Sequence, residues 1–311
     1  MIDSQKRNCY SYLNRKRKKN CEGAGMTTGM LKMIAAGAMF LDHLRLFLKE
    51  FPLCFSWVGR ISAPIFLYCS LYSLQRSSNP KRYLKRLYWA GIGMSLVQCL
   101  TGFEGNFFRT VFLLQILIVL CFHQDRLKQR IKHPVIAFLL WQVGGFLLCV
   151  ICGMCSWVPF SVTLFVLPAI LGNLFCVEGG FYLILGLMLY PIRFDKKKTA
   201  IRYTAFCTGY SVLSLTPLIP KAVYFLDVVC GFSALGEGIE YLFHNLVGLP
   251  LYQIGAPVWI ENYQWMMIFA LPVLLLSIFP ERRIGKRRRY GKYWLYWFYP
   301  LHILFLFLLS V

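Results

Sequence analysis

The sequence predicts an all-α protein, a polytopic bundle of about nine transmembrane helices. Of its 311 residues, 58% are hydrophobic and only 15% are charged, whereas about a quarter of the residues in a soluble domain are charged. The apolar residues form runs close to the length that crosses a bilayer. Most of the 34 Lys and Arg side chains fall in alternate connections between these runs, as cytoplasmic loops do in multi-pass proteins.

The runs are interpreted as spans in chain order, at about 29–48, 54–74, 87–103, 107–122, 134–152, 178–192, 202–217, 264–280 and 293–311. Two further segments could raise the count to ten or eleven. Residues 157–176 are expected to be re-entrant or interfacial, because a span there would place the lysines at 196–198 outside. Residues 218–262 are expected to form partly membrane-associated helices on the external face.

The basic connections determine the expected orientation. They are the tail 1–28 and the segments 75–86, 123–133, 193–202 and 281–292. The positive-inside rule then places the N-terminus in the cytoplasm and the C-terminus outside. We therefore expect a basic, flexible cytoplasmic tail at 1–28 and a single domain at 29–311, embedded in the cell membrane. The net charge of +21 favours anionic lipid headgroups as partners, and no basic stripe with base-reading polar residues indicates nucleic-acid binding.

The first span carries charges that are costly in a bilayer. Asp42, His43 and Arg45 lie in its outer half, in the stretch MFLDHLRLFL, and one central charge costs roughly 3 kcal/mol on insertion scales. Asp42 can pair with Arg45, three residues on, or with an arginine of the next helix. His43 lies about 100° round the helix from Asp42, so the adjacent side chains make a poor dyad and His43 is expected to point at a cavity.

The second span brings a further charge to a similar depth. Arg60 lies in the stretch SWVGRISAPIF. Gly59 before it keeps the helix thin enough for close approach, and Pro64 is expected to kink the helix. Two readings are equally supported here: a site with a neutral, desolvated His43 as a base, or an ion pair that only fastens two helices.

The last span places His302 near mid-membrane, beside Pro300, in the stretch WFYPLHILF. A lone membrane histidine is often satisfied by a backbone carbonyl, so this position alone does not establish function. Cys149, Cys152 and Cys155 share a helical face, but no histidine or acid lies near them in sequence. Small apolar filler explains them better than a metal site, and no metal is predicted.

Several stretches together resemble the TraX family of membrane acetyltransferases. They are LKMIAAGAMFLDHLRLF (31–47), VGRISAPIFLY (58–68), KRYLKRL (81–87), NFF (106–108), EGGFYLILGLMLY (178–190), ALPVLLL (270–276) and KYWLYWFYPLHILFLFL (292–308). At matching positions the resemblance points to Asp42, His43, Gly59, Arg60, Pro64 and His302. It implies acetyl-CoA as the donor and an amine or hydroxyl of an external envelope or secreted molecule as the acceptor.

The resemblance implies four catalytic candidates, which are Asp42, His43, Arg60 and His302. His43 or His302 could act as the base, or one imidazole could carry the acetyl group in a relay. Arg60 could stabilise the oxyanion, oriented by Asp42, and Arg45 and Arg60 are the candidates for binding the donor.

Two other classes of function stay open. A transporter or channel could use an intramembrane Asp, His and Arg site. A non-catalytic membrane subunit is the third reading, because the stretches 70–75 and 94–100 carry no carboxylate, where acids are expected from the resemblance.

Overall fold

The computed structural model describes residues 26–77, 79–122, 132–154, 157–173, 180–233, 235–240, 263–277 and 293–311. Within these ranges the regular structure is helical, apart from one isolated bridge between Met26 and Ser277. The predicted all-α class is therefore confirmed. Most of the tail 1–28 lies outside the described residues.

Twelve α-helices are numbered along these ranges. They are α1 (Thr28–Phe47), α2 (Cys54–Gly59), α3 (Ser62–Gln75), α4 (Pro80–Thr101), α5 (Phe107–Phe122), α6 (Pro134–Met154), α7 (Leu167–Leu171), α8 (Phe181–Leu189), α9 (Lys196–Leu215), α10 (Leu218–Tyr224), α11 (Ala270–Leu275) and α12 (Trp294–Ser310). π-Helical turns precede α7 at Val162–Val166 and follow α10 at Phe225–Val229, and 3₁₀ turns occupy Tyr190–Ile192 and Gln264–Phe269.

The helices follow the predicted apolar runs closely, with two informative differences. α4 begins at Pro80 and α9 at Lys196, six or seven residues before the runs at 87 and 202. The side chains of Asn79 and Asp195 cap these helices by accepting from backbone N–H groups. Hydropathy marks the part of a helix that faces lipid or core, whereas the caps determine where the helix begins.

Within the described part of the chain, two stretches of helix are long and apolar enough to cross a membrane. They are Cys54–Gln75, which combines α2 and α3, and Pro134–Met154, which is α6. The pair Lys196–Leu215 and Leu218–Val229, bent by 46°, makes a third if it counts as one span. Most apolar side chains of α6 are exposed, as expected for a helix solvated by lipid. The number of spans and the side on which the termini lie stay predictions.

The two ambiguous segments form short helices. The helix Val162–Leu171 has ten residues and spans only about 15 Å, half of the hydrocarbon thickness. Its length agrees with a segment that does not cross the bilayer. Of 218–262, the structure describes α10, its π-helical turn and residues 230–233 and 235–240, and the membrane association of the segment stays a prediction.

The packing of seven elements positions the polar side chains. α1 lies against α2 and α3, α12 packs on both α1 and α4, and the 3₁₀ turn Gln264–Phe269 contacts α2 and α9. A small apolar cluster at this junction contains Met39, Met94, Val97, Phe103, Tyr299 and Ile303. The three elements that carry the sequence-predicted site residues, α1, the α2–α3 break and α12, thus meet around one interior region.

Candidate functional site

α1 and α2 are in close contact at Gly59. A Cβ atom built on Gly59 would overlap the Cβ and Cγ atoms of Asp42. Only glycine therefore permits this contact, which agrees with the thin second helix expected from the sequence. The contact holds the Asp42 carboxylate against the end of α2, next to Arg60.

Arg60 lies at a break in the second span. α2 ends at Gly59 and α3 begins at Ser62. Pro64 has no N–H to donate to the carbonyl four residues earlier, which is that of Arg60. The α-helix is interrupted at Arg60 and Ile61, one turn before the proline, and the kink expected from Pro64 stays a prediction.

The Arg60 side chain joins three elements. Its Nη2 donates to Asp42 Oδ2 at 2.6 Å, its Nη1 donates to Gln264 Oε1 at 2.9 Å, and its Nε donates to the Ser56 carbonyl at 3.4 Å. The Arg60 and Asp42 side chains are 24% and 16% exposed, so the pair is largely removed from solvent. The guanidinium is a planar fork whose donors are fixed in direction, so these contacts also determine its orientation.

Gln264 and Tyr263 extend this polar group. Gln264 Nε2 donates to the hydroxyl of Tyr182 on α8 at 3.1 Å. The guanidinium carbon of Arg60 lies 5.2 Å from the ring centroid of Tyr263, within cation–π range. The group therefore links α1, α2, α8 and the 3₁₀ turn at Gln264.

His43 and His302 meet in the interior. His43 Nδ1 lies 2.7 Å from His302 Nε2, and the rings are nearly parallel, with centroids 5.0 Å apart. The two residues are only 8% and 5% exposed, and Phe103, Tyr299 and Phe298 pack around them. The structure thus brings together two histidines that are 259 residues apart in the sequence.

The hydrogen bonds determine the tautomers of the neutral pair. His302 Nδ1 lies 2.7 Å from the Phe298 carbonyl, which can only accept, so Nδ1 carries the proton. His302 Nε2 is then the acceptor in a neutral ring, and His43 Nδ1 must donate to it. The lone pair of His43 is left on Nε2, which has no hydrogen-bond partner among the described residues.

One cavity joins the two polar groups. Its volume is about 110 Å³, and its walls include Asp42, His43, Arg60, Gln264 and Tyr182. Apolar residues complete the lining, namely Met39, Ala63, Phe66, Phe107 and Phe181. His302 is not among the lining residues and reaches the cavity through His43. An imidazole, a guanidinium and a carboxylate therefore border the same space.

The structure resolves the choice of partner for Asp42 in favour of Arg60. Arg45 instead donates from Nη1 to the carbonyl of Lys49 at 3.3 Å, and it does not line the cavity. Of the predicted site residues, Asp42, His43, Arg60 and His302 are thus brought together and Arg45 is not.

Sequence reasoning missed Gln264 and Tyr182. Gln264 was interpreted only as the first residue of an apolar run. A polar side chain at that edge was the one available signal, and nothing in the sequence around Tyr182 indicated its contact with Gln264.

A comparison with models of protein families identifies the family of the chain. The family model described as TraX protein matches residues 27–215, which is more than half of the chain. The chain belongs to the TraX family. The matched region contains Asp42, His43 and Arg60, whereas Gln264 and His302 lie beyond it. Together with the apolar helices, membership in the TraX family identifies a membrane protein. Neither the curated proteins nor the solved structures include a significant match.

Proposed function

We propose that this TraX protein is an integral acyltransferase of the cell membrane, which moves acetyl from acetyl-CoA to an amine or hydroxyl. The observation that carries the proposal is the shared cavity, bordered by the His43 imidazole on one side and by the Arg60–Asp42 pair on the other. Acyl transfer needs a base, a stabiliser of the oxyanion and a site poor in water. The cavity supplies residue types for each of these needs.

His43 Nε2 acts as the general base in this proposal. It accepts the proton from the attacking N–H or O–H while the acceptor atom bonds to the thioester carbonyl carbon. Collapse of the tetrahedral intermediate breaks the carbon–sulfur bond, and His43 returns the proton to the departing sulfur. The products are the acetylated acceptor and free CoA.

His302 and Arg60 have distinct roles. His302 accepts from His43 Nδ1 and stabilises the imidazolium that forms when Nε2 is protonated. Arg60 stabilises the negative charge on the carbonyl oxygen of the intermediate. Asp42 and Gln264 fix the orientation of the guanidinium, so it needs less reorganisation when the intermediate forms. An Asp42–Arg60 ion pair that only fastened α1 to α2 would not need to border a cavity. Its position in the cavity wall therefore favours a role in the reaction.

The orientation predicted from the basic connections places the acceptor outside the cytoplasm. The bilayer is then both the solvent of the bundle and, through its anionic headgroups, a partner of the basic loops. The acceptor is a molecule of the envelope or a secreted molecule. Its identity is tested by comparing the masses of envelope molecules from cells with and without the protein, searching for acetyl in place of hydrogen.

The direct test uses purified protein and acetyl-CoA labelled in the acetyl group. We expect release or transfer of the label, reduced at least about a hundredfold in His43→Ala, because a general base contributes that much or more. His133→Ala is the matched control, since His133 is exposed and lies outside the cavity. Undiminished turnover in His43→Ala would remove His43 from the mechanism, and no use of acetyl-CoA by the wild-type protein would overturn the acyltransferase proposal.

A further inference from the structure

A second cavity adjoins the site cavity. Its volume is about 120 Å³, and four residues line both spaces, namely Met39, Phe66, Phe107 and Tyr299. The other lining residues include Lys32, Ser70, Ser73, Tyr83 and Tyr296. The two cavities are therefore neighbours across a thin partition of apolar and aromatic side chains.

The end of the second cavity remote from His43 is cationic. Lys32 lines it, and the guanidinium of Arg86 lies 5.8 Å from the ring centroids of both Tyr83 and Tyr293. Arg86 Nε is buried and has no hydrogen-bond partner among the described residues. Tyr83 itself lines the cavity, so two cations lie at or beside the same end.

The middle of the second cavity suits a slender chain that contains amide groups. Most of its walls are apolar or aromatic, and Ser70 and Ser73 add two hydroxyls. These hydroxyls donate to the carbonyls of Leu67 and Cys69, and that of Ser70 also accepts from Gln115 Nε2 at 3.3 Å. A hydroxyl that donates still has lone pairs, which can accept from the N–H groups of a ligand.

The length of the path matches one class of donor. Lys32 and His43 lie on the same helix, α1, and their separation along its axis is about 16 Å. The pantetheine arm of coenzyme A, from its phosphate to its sulfur, has the backbone length of roughly four to five peptide residues, which is also about 16 Å when extended. Phosphates held near Lys32 would thus bring a thioester to the level of His43.

We propose that the second cavity is the binding site for the arm of a coenzyme A thioester, with its phosphates bound by Lys32 and Arg86. The thioester end passes between Met39, Phe66, Phe107 and Tyr299 into the site cavity. The inference rests on the proposed acyltransferase function and deepens it, because it assigns the donor-binding residues. It places the donor on Lys32 and Arg86 instead of Arg45.

The partition must open for the donor to reach His43. Met39 is unbranched and has several rotatable bonds, and the two phenylalanine rings can turn about their side-chain bonds. These motions do not require any helix to move. The partition would close behind the reacting thioester and limit its contact with water, which protects it from hydrolysis.

The kinetic test compares acetyl-CoA with S-acetylpantetheine, a donor that lacks the phosphates. The variants are Lys32→Gln, Arg86→Gln and, as the matched control, Lys85→Gln, because Lys85 is exposed on the same helix as Arg86. We expect each of the first two to raise the KM for acetyl-CoA about tenfold or more, since a lost charge-assisted hydrogen bond is that costly. The kinetics with S-acetylpantetheine should not change. Equal effects on both donors, or an equal effect of Lys85→Gln, would overturn the assignment.

A binding test separates failure of this site from failure of the proposed function. In a Ser73→Cys variant, alkylation of the introduced thiol by a maleimide is measured by mass spectrometry, with the native Cys121 as an internal control. We expect CoA to protect Cys at position 73 and to leave Cys121 unaffected. Turnover without protection would overturn the second cavity as donor site while the acyltransferase stands. Protection without turnover would keep the donor site and overturn the transfer reaction, and protection by anionic phospholipid alone would assign the cavity to lipid.

Discussion

The hydrogen bond between His43 and His302 determines which of four ring nitrogens can act as a base. The Phe298 carbonyl fixes the proton on His302 Nδ1, and the remaining contact fixes the proton on His43 Nδ1. The Phe298 carbonyl, which does not touch His43, thus determines through His302 that the lone pair of His43 lies on Nε2. In the proposed mechanism His302 is therefore a positioning residue for His43, whereas the resemblance left either histidine as the candidate base.

This role of His302 leads to a test by conservative replacement. In His302→Gln the amide oxygen can still accept from His43 Nδ1, whereas His302→Leu removes the acceptor. We expect kcat to fall about a hundredfold in the leucine variant, within the usual contribution of acid–base groups, and to be partly restored in the glutamine variant. Equal activity of the two variants, measured with labelled acetyl-CoA in proteins of matched thermal stability, would contradict the positioning role.

The partner of Asp42 shows what the spacing along one helix leaves open. Asp42 has an arginine three residues on, a spacing that favours a pair along one helix. The structure pairs it with Arg60 instead, because the break before Pro64 and the close approach at Gly59 bring the guanidinium to it. Arg45 is directed to the helix end, where a cation interacts favourably with the terminal carbonyls.

At the scale of elements, the approach of α1 to α2 depends on the missing side chain of Gly59. A methyl group there would collide with Asp42. Because the new Cβ atom would meet the Cβ atom of Asp42, which rotation about side-chain bonds cannot move, the helices must move apart. The Asp42–Arg60 pair would then lengthen, and the cavity would lose its fixed charge arrangement.

A glycine comparison tests this dependence. We expect Gly59→Ala to reduce the free energy of unfolding by about 1–3 kcal/mol, the usual cost of overpacking, and to reduce acetyl transfer as well. Gly93→Ala is the matched control, because a Cβ atom on Gly93 meets nothing within 4 Å and alanine is the better helix former. Thermal unfolding in detergent measures the first effect. A Gly59→Ala protein as stable and active as Gly93→Ala would show that the close approach is unimportant.

Two prolines within helical segments are a second feature of the elements. Pro64 interrupts the second span at Arg60, and Pro300 lies inside α12, two residues before His302. Each proline removes a backbone donor from a helix. In a bilayer such freed carbonyls are tolerated only where they face protein or a cavity. Both prolines lie close in sequence to side chains of the candidate site, Arg60 and His302, as this constraint requires.

At the scale of the whole molecule, two adjoining cavities run along α1 from Lys32 to Asp42. The cationic end of this path lies on the side of the basic connection 75–86, since Tyr83 and Arg86 belong to the first turns of α4. The site cavity lies towards the connection between α1 and α2. The positive-inside rule predicts that the first end faces the cytoplasm, which is where a coenzyme A thioester is found.

Cysteine labelling checks this orientation. Lys81→Cys and Glu50→Cys place thiols at opposite ends of the α1–α4 region, and both positions are exposed. We expect a membrane-impermeant maleimide added to intact cells to label position 50 and not position 81, because the basic connection lies inside. Permeabilised cells, in which both positions should react, provide the control. The reverse pattern would invert the topology and with it the side from which the donor enters.

The sequence by itself determined the helical class, the approximate positions of the helices and the four candidate site residues. These properties are local: apolar runs set where helices can lie in lipid, and a charge or imidazole in such a run is costly enough to require a reason. Asp42, His43, Arg60 and His302 were all recognisable on that ground alone. The helix ends at Pro80 and Lys196 were not, because capping and charged helix turns leave no mark on hydropathy.

Only the tertiary structure decided how these residues combine. The contacts of Arg60 with Gln264 and of His43 with His302 join residues 204 and 259 positions apart, and so depend on how distant helices pack. The same packing selected Arg60 over Arg45 for Asp42 and opened two cavities that share one wall. Local patterns indicate which side chains need a partner in lipid, but the partner itself is chosen by the close-packed arrangement of the whole bundle.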